Sequence, residues 1–234
     1  MGRALPTDLS GMFRPPFAIL LSRNRRHMTQ HVSTPASYFD AVYAHGDDPW
    51  RYRSHWFEAR KRALLLAMLD RPRFRRAFEP GCANGETTSA LAARCDSLLA
   101  TDRHPRAVQA ARERVRAESN VRVAQLTVPG QWPEGTFDLI VVSEFGYYLT
   151  PAEVGDMARN IRASLTEDGM LLACHWRHPF DEQASSAEQV HRTLEQQSGL
   201  APCASYVETD FVMQAWCADG LGPTTRERQR GQGG

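Results

Sequence analysis

Apolar positions along this chain recur with two different periods, and the alternation between them predicts the fold. After Pro35, the residues Tyr38, Phe39, Val42 and Tyr43 fall at helical spacing. A second helix is expected over Ser54–Leu69, carried by Trp56, Phe57, Leu64, Leu65, Met68 and Leu69 and stopped before Arg71-Pro72. The apolar Arg76-Ala77-Phe78 then leads into a glycine-bearing turn, EPGCANG at residues 79–85, followed by a helix over Thr87–Cys95. Next come a strand at Leu98–Thr101 ending on Asp102, a helix from Pro105 to Glu118, and a short strand at Val121–Val123. Phe137–Ser143, FDLIVVS, is apolar on both sides, as a strand buried on both faces of a parallel sheet must be. A helix at Pro151–Leu165, a strand at Gly169–His175, a helix at Ala184–Gln197 and late strand material at Tyr206–Cys217 complete the order. Strands alternating with helices predict an α/β domain, a mostly parallel central sheet with helices on both faces, capped by the two N-terminal helices.

Ligands of such sheets lie at the carboxyl ends of the strands, near the point where strand order reverses. The loops that matter therefore follow Glu79, Thr101, Val123, Ser143 and Ala173. Glycine lets the main chain turn sharply and lets a ligand approach it. An acid at the tip of the next strand, Asp102, suits the hydroxyls of a ribose. The turn lacks GxGxxG and has an acid, Glu79, beside it, which disfavours a pyrophosphate; it also lacks the lysine of a GxxxxGK loop.

The ExGxxxG turn, the acid ending the second strand and the FDLIVVSE strand resemble class I S-adenosylmethionine (SAM) methyltransferases of Rossmann-like fold. The resemblance implies that Gly81, Ala83 and Gly85 line the cofactor, Glu79 lies beneath it and Asp102 holds the ribose. Ala83 stands where the family usually has a glycine, and Thr127 stands where an acid often meets the adenine. Further blocks, DDPWRYRSHWFEARK at residues 47–61, LLATD, WPEGTFDLIVVSEFGYYL and LLACHWRHP, are similar to the NodS-like family, named for a nodulation N-methyltransferase of lipochitooligosaccharide biosynthesis. The implied reaction is methyl transfer from SAM to an amine of a small molecule, amino sugar or oligosaccharide. A small-molecule O-methyltransferase and a binding protein without turnover remain as alternatives.

On the acceptor side, Glu144 is the first candidate to orient or deprotonate an amine and His175 the second; capping and backbone hydrogen bonding are the competing roles. Tyr147, Tyr148, Trp176 and Arg177 are candidate substrate contacts, against core packing for the tyrosines. Trp50 and Tyr52 are candidates for the sulfonium side of the cofactor, since an aromatic face attracts a cation. Glu58 and Arg60 to Arg62 are expected to be solvated helix charges unless one turns inward, and His191 a structural histidine.

Composition narrows the partners. With 42% hydrophobic and 24% charged residues and a net charge of +1, the 234-residue chain gives no field to attract nucleic acid or an anionic membrane. Five scattered cysteines without a CxxC pair predict reduced thiols and a cytoplasmic protein, and the eight histidines lack the spacing of a metal site. Phe17–Leu21 is too short for a signal-peptide core or a membrane span. Met28 opens MTQHVSTPASYFDAVY as a natural start would. Residues 1–32 are thus expected to be an unstructured extension, 33–219 the methyltransferase domain and 220–234 an unstructured polar tail. Nothing in the composition sets an oligomeric state.

Overall fold

The computed structural model describes residues 32–231, so the expected extension lies outside the described residues but for Val32. Its helices are α1 (Ala36–Tyr43), α2 (Trp56–Ala67), α3 (Glu86–Ala92), α4 (Pro105–Arg114), α5 (Pro151–Ser164), α6 (Ala187–Ser198) and α7 (Pro223–Gly231). Its strands are β1 (Phe74–Pro80), β2 (Cys95–Asp102), β3 (Val121–Gln125), β4 (Phe137–Ser143), β5 (Leu165–Trp176), β6 (Ala201–Val207) and β7 (Phe211–Cys217). They form one seven-stranded sheet in the order β3-β2-β1-β4-β5-β7-β6. The first five are parallel; β7 runs antiparallel to β5, and β6 closes the edge as a hairpin with it.

The run FDLIVVS becomes β4, the middle strand, because alternate residues supply opposite faces of the sheet. Leu139 and Val141 join Leu65, Leu91 and Met213 on one side. Ile140 and Val142 join Met157, Ile161, Val190 and Leu194 on the other. Asp138 is the one polar residue of that run to be buried within the strand, and it has a local task. Its two carboxylate oxygens accept the backbone N–H groups of Arg75 and Arg76, each at 2.8 Å, which fixes β1 against β4 where their ladder begins. Helices α5 and α6 each start with a capping box, Thr150 with Glu153 and Ser186 with Gln189.

The expected unstructured tail is a helix over most of its length. α7 is highly polar, and composition therefore reads it as disorder. Its anchor is one residue: Arg226, only 6% exposed, pairs with buried Asp70 and with Asp219. Among the described residues, no helix is long and apolar enough to cross a membrane.

Ile161 is wholly buried on α5. Ile161→Ala should cost about 2–5 kcal/mol, since the cavity adds to the lost transfer energy. Urea unfolding at neutral pH measures it; a loss within experimental error would mean that α5 does not seal that face.

Candidate active site

β1 brings Glu79 and Pro80 to the carboxyl edge of the sheet, where strand order reverses between β1 and β4. The chain then turns through Gly81 (φ +72°), Ala83 (φ +47°) and Gly85 (φ +81°), three residues in left-handed backbone. Glycine is required twice for different reasons. A Cβ on Gly81 would lie 2.7 Å from the Phe145 ring, and one on Gly85 would lie 2.9 Å from the Ala111 Cα, where α4 passes. Ala83 tolerates its conformation because it is held: its N–H donates to Asp102 Oδ2 at 3.0 Å.

Asp102 is locked on its other side too, Oδ1 accepting the His104 N–H at 2.8 Å. Burial raises its pKa even so, against the pull of those two backbone donors. Glu79 is 2% exposed, accepts the Thr88 hydroxyl at 2.6 Å, and is pushed up by burial to about 8. Thr127 follows β3 as an exposed loop residue whose N–H donates to Gln131 Oε1 at 2.7 Å. The preceding N–H, of Leu126, donates to the Asp102 carbonyl at 3.1 Å, so that loop borders the same strand tip.

The segment between α1 and α2 folds over this turn through Asp48. One carboxylate accepts the backbone N–H of Tyr52 at 2.7 Å, that of Arg53 at 3.1 Å and the side-chain amide of Asn84 at 2.8 Å. Trp50 packs edge-on to Tyr43 and stacks on Tyr52, with centroids 5.5 and 5.7 Å apart. Tyr43 stacks on His104 at 4.5 Å. Trp50 is therefore as much a wedge in this aromatic stack as a face offered to a ligand. Asn84 Oδ1 is buried among the described residues without a hydrogen-bond partner.

Across the cleft stands a charged cluster that the sequence pattern left unassigned. Lys61, 5% exposed, places Nζ 2.9 Å from Glu144 Oε1 and 2.9 Å from Glu58 Oε2. The expectation that Glu58 and Lys61 are solvated is corrected: with Leu65 they lie three and four residues apart on one face of α2, and that face turns into the cleft. Burial alone would lower the Lys61 ammonium, but Glu144 and Glu58 carry it above its ordinary range. Burial raises Glu58 against the pull of Lys61. The Arg62 guanidinium instead caps the Tyr52 carbonyl, and Arg60 reaches Glu208.

Glu144 follows β4 with φ +59°, a strained position for a residue with a Cβ, and its N–H donates to the Cys174 carbonyl at 2.9 Å. Its Oε2 accepts the Tyr147 hydroxyl at 2.7 Å and the Trp176 N–H at 3.2 Å. Glu144, Tyr147 and Trp176 thus meet as expected from their positions. The Trp176 ring stands edge-on to Phe57, and Tyr148 packs against Phe39 and Phe180. The resulting cleft has Tyr52, Glu58, Lys61, Glu79, Gly81, Ala83, Asn84 and Glu144 in its walls.

Of the expected site residues, Tyr52, Glu79, Gly81, Ala83 and Glu144 line this cleft, whereas Arg177 and His175 are held elsewhere. Arg177 turns toward the sheet edge, donating to Glu188 at 3.0 Å and to the Glu208 carbonyl at 2.7 Å. His175 is wholly buried. The Gly146 N–H donates to its Nε2 at 3.1 Å, so the ring proton sits on Nδ1 and points at His191 Nε2, 2.9 Å away. His191 Nδ1 then donates to Gln214 Oε1 at 2.7 Å. Both rings are neutral in this row, burial lowering His175 well below its ordinary value and His191 to about 4. His175 is a buried strut under Gly146 and is removed from the catalytic set.

Glu79 yields a pH prediction. Its folded pKa lies above its unfolded one, so its contribution to stability is fully present below about pH 4.5 and is lost as pH rises toward 8. Between those limits the ligand-free wild type should lose stability relative to Glu79→Gln, measured by denaturant unfolding at several pH values. A constant difference between the two proteins would mean that Glu79 ionises freely in the fold.

Known proteins match both the sequence and this geometry. The family model described as Nodulation protein S (NodS) matches residues 43–185. Nodulation protein S of Rhizobium tropici is 36% identical over 129 residues, 54% of this chain and 54% of that protein. The Bradyrhizobium diazoefficiens protein of the same name is 34% identical over 128 residues, 54% of this chain and 61% of its own length. The chain thus spans about half the length of the curated relatives it matches. A solved structure from Pseudomonas syringae is 45% identical, covers 70% of this chain and 99% of its own, and superposes with a TM-score of 0.63. The N-methyltransferase NodS from Bradyrhizobium japonicum WM9, solved in complex with S-adenosyl-l-homocysteine, is 26% identical over 77% of this chain and 96% of its own, with a TM-score of 0.69. The sheet is that of the class I methyltransferase fold. By the extent of the family match, this chain belongs to the NodS family.

Proposed function

We propose that this protein is a SAM-dependent N-methyltransferase acting on an amine of a small molecule, amino sugar or oligosaccharide. The observation that carries this reading is the balance of charge in the cleft, where the two carboxylates of Glu58 and Glu144 face the single ammonium of Lys61. Arg62 also lines the cleft, but with Glu79 and Glu86 the walls still carry more acids than cations, which favours a cationic cofactor and an incoming amine. The solved relative named an N-methyltransferase supports the same direction.

The residues present fit the cofactor. Asn84, in the cleft wall, has Oδ1 as a buried acceptor without a partner among the described residues. Asp102, positioned by two backbone donors, keeps lone pairs for two ribose hydroxyls, and Thr127 borders the adenine side. Glu79 lies under the turn, and Trp50 and Tyr52 close it from above. When bound, SAM supplies an electrophilic methyl group on a sulfonium. The protein's contribution is to hold an amine in line with it, and orientation of this kind is worth roughly 7–11 kcal/mol in favourable cases.

Glu144 serves as the orienting acceptor. Both its oxygens already accept hydrogen bonds, from Lys61, Tyr147 and the Trp176 backbone, so to take a proton it would have to give one of them up. Among the described residues Glu58 pairs with Lys61 alone and is raised by burial, which makes it the better proton acceptor, directly or through water. Tyr148, Phe180 and Trp176 supply apolar faces on which an acceptor can pack.

Labelled SAM with a deacetylated chitooligosaccharide tests the reaction, the expected product carrying its methyl on nitrogen; methyl on oxygen would overturn the assignment. Asp102→Ala should weaken cofactor binding by about 1.5–3 kcal/mol per charge-assisted bond at most, read by calorimetry. Glu144→Gln should lower kcat with cofactor affinity retained, and full activity would remove Glu144 from the mechanism.

A further inference from the structure

We propose that Cys203 and Cys217 form a dithiol that a small-molecule disulfide such as oxidised glutathione converts to an intramolecular cross-strand disulfide. The two lie 14 residues apart, without CxxC spacing, on the antiparallel strands β6 and β7. The ladder pairs Pro202 with Trp216 and then Ala204 with Ala215, so Cys203 sits in a bulge. That irregularity swings its sulfur toward the neighbouring strand, and the two Sγ atoms stand 2.7 Å apart. This is well inside ordinary contact between sulfurs and less than 1 Å beyond a covalent bond of about 2.05 Å.

The surroundings carry both signs of charge, since Arg226 and the buried Asp70 carboxylate both stand beside Cys217. Arg226, brought by α7, is buried beside Cys217, where it pairs with Asp70 and Asp219. The Cys203 thiol and the Arg226 guanidinium both lower the Cys217 pKa, while sharing a proton with Cys217 raises that of Cys203. Loss of one of the pair's two protons therefore leaves a thiolate beside the remaining thiol, its hydrogen-bond partner. Access is unequal: Cys217 is buried, whereas Cys203 is half-buried at the sheet edge.

This asymmetry orders the chemistry. The pair's thiolate attacks the glutathione disulfide through Cys203, forming a protein–glutathione disulfide and expelling one glutathione thiolate. Cys217, as thiolate, then attacks Cys203 Sγ, forming the protein disulfide and expelling the second. The protein loses two electrons and two protons, and the oxidant becomes two glutathione thiols. Cys82, Cys95 and Cys174 are buried and unpaired with another cysteine, and are left untouched.

The full-length protein is equilibrated with glutathione mixtures of rising oxidised fraction, quenched, alkylated under denaturing conditions and mapped by mass spectrometry. Two of five thiols should disappear together, with one cross-linked peptide joining the β6 and β7 segments, and Cys217→Ser should instead accumulate glutathione on Cys203. Retention of all five thiols under oxidising mixtures, or a glutathione adduct persisting on the wild type, would overturn the proposal.

Discussion

A single buried ammonium joins the two parts of this molecule that must meet for a site to exist. Lys61 comes from a helix that precedes the sheet, and Glu144 from the end of its central strand. Their contact, shared with Glu58, docks α2 over the reversal point of strand order. A buried charge pair is an uncertain source of net stability, because removing both charges from water offsets much of their attraction. Its value here is positional: Glu58 travels with Lys61 on α2, so the contact with Glu144 is the one that ties the helix to the end of β4. The strained backbone of Glu144 has the same meaning, since a left-handed glutamate persists only where its neighbours fix it.

The opposite wall is built on a comparable economy of parts. Asp48 gathers three donors and thereby ties the α1–α2 connection to Asn84 in the turn after β1. Asp102 draws in the N–H groups of Ala83 and His104 from either side of the gap between β1 and β2. Both acids act on the main chain, which is why short polar side chains can shape a loop that has few apolar contacts of its own.

Strand and helix order was legible because β4 is apolar on both faces and the helices carry clear helical spacing. The glycine turn and Asp102 were legible because backbone geometry demands particular residues there. What escaped were features decided by single side chains. Glu58 and Lys61 look like ordinary surface charges until the orientation of α2 is known, and their spacing with Leu65 was the one available signal. His175 looks like a general base from its place after β5; only its neighbours Gly146 and His191 show that both ring nitrogens are occupied. The polar α7 reads as disorder because composition averages over the one arginine that anchors it. The pairing of Cys203 with Cys217 depends on a bulge, which leaves no mark in cysteine spacing.

The preset geometry of Asp102 carries one more implication for a methyl-transferring site. Under the proposed function, Asp102 and the glycine turn would face parts that the methyl donor and its spent thioether have in common, and so would not distinguish the two. Uniform binding of this kind cannot drive turnover. The difference between donor and spent product is one positive charge at sulfur, and the groups able to sense it are the acids facing the cleft. Discharge of the used cofactor would then be an electrostatic event, with the same carboxylates that welcome the cation losing their hold once the charge has gone.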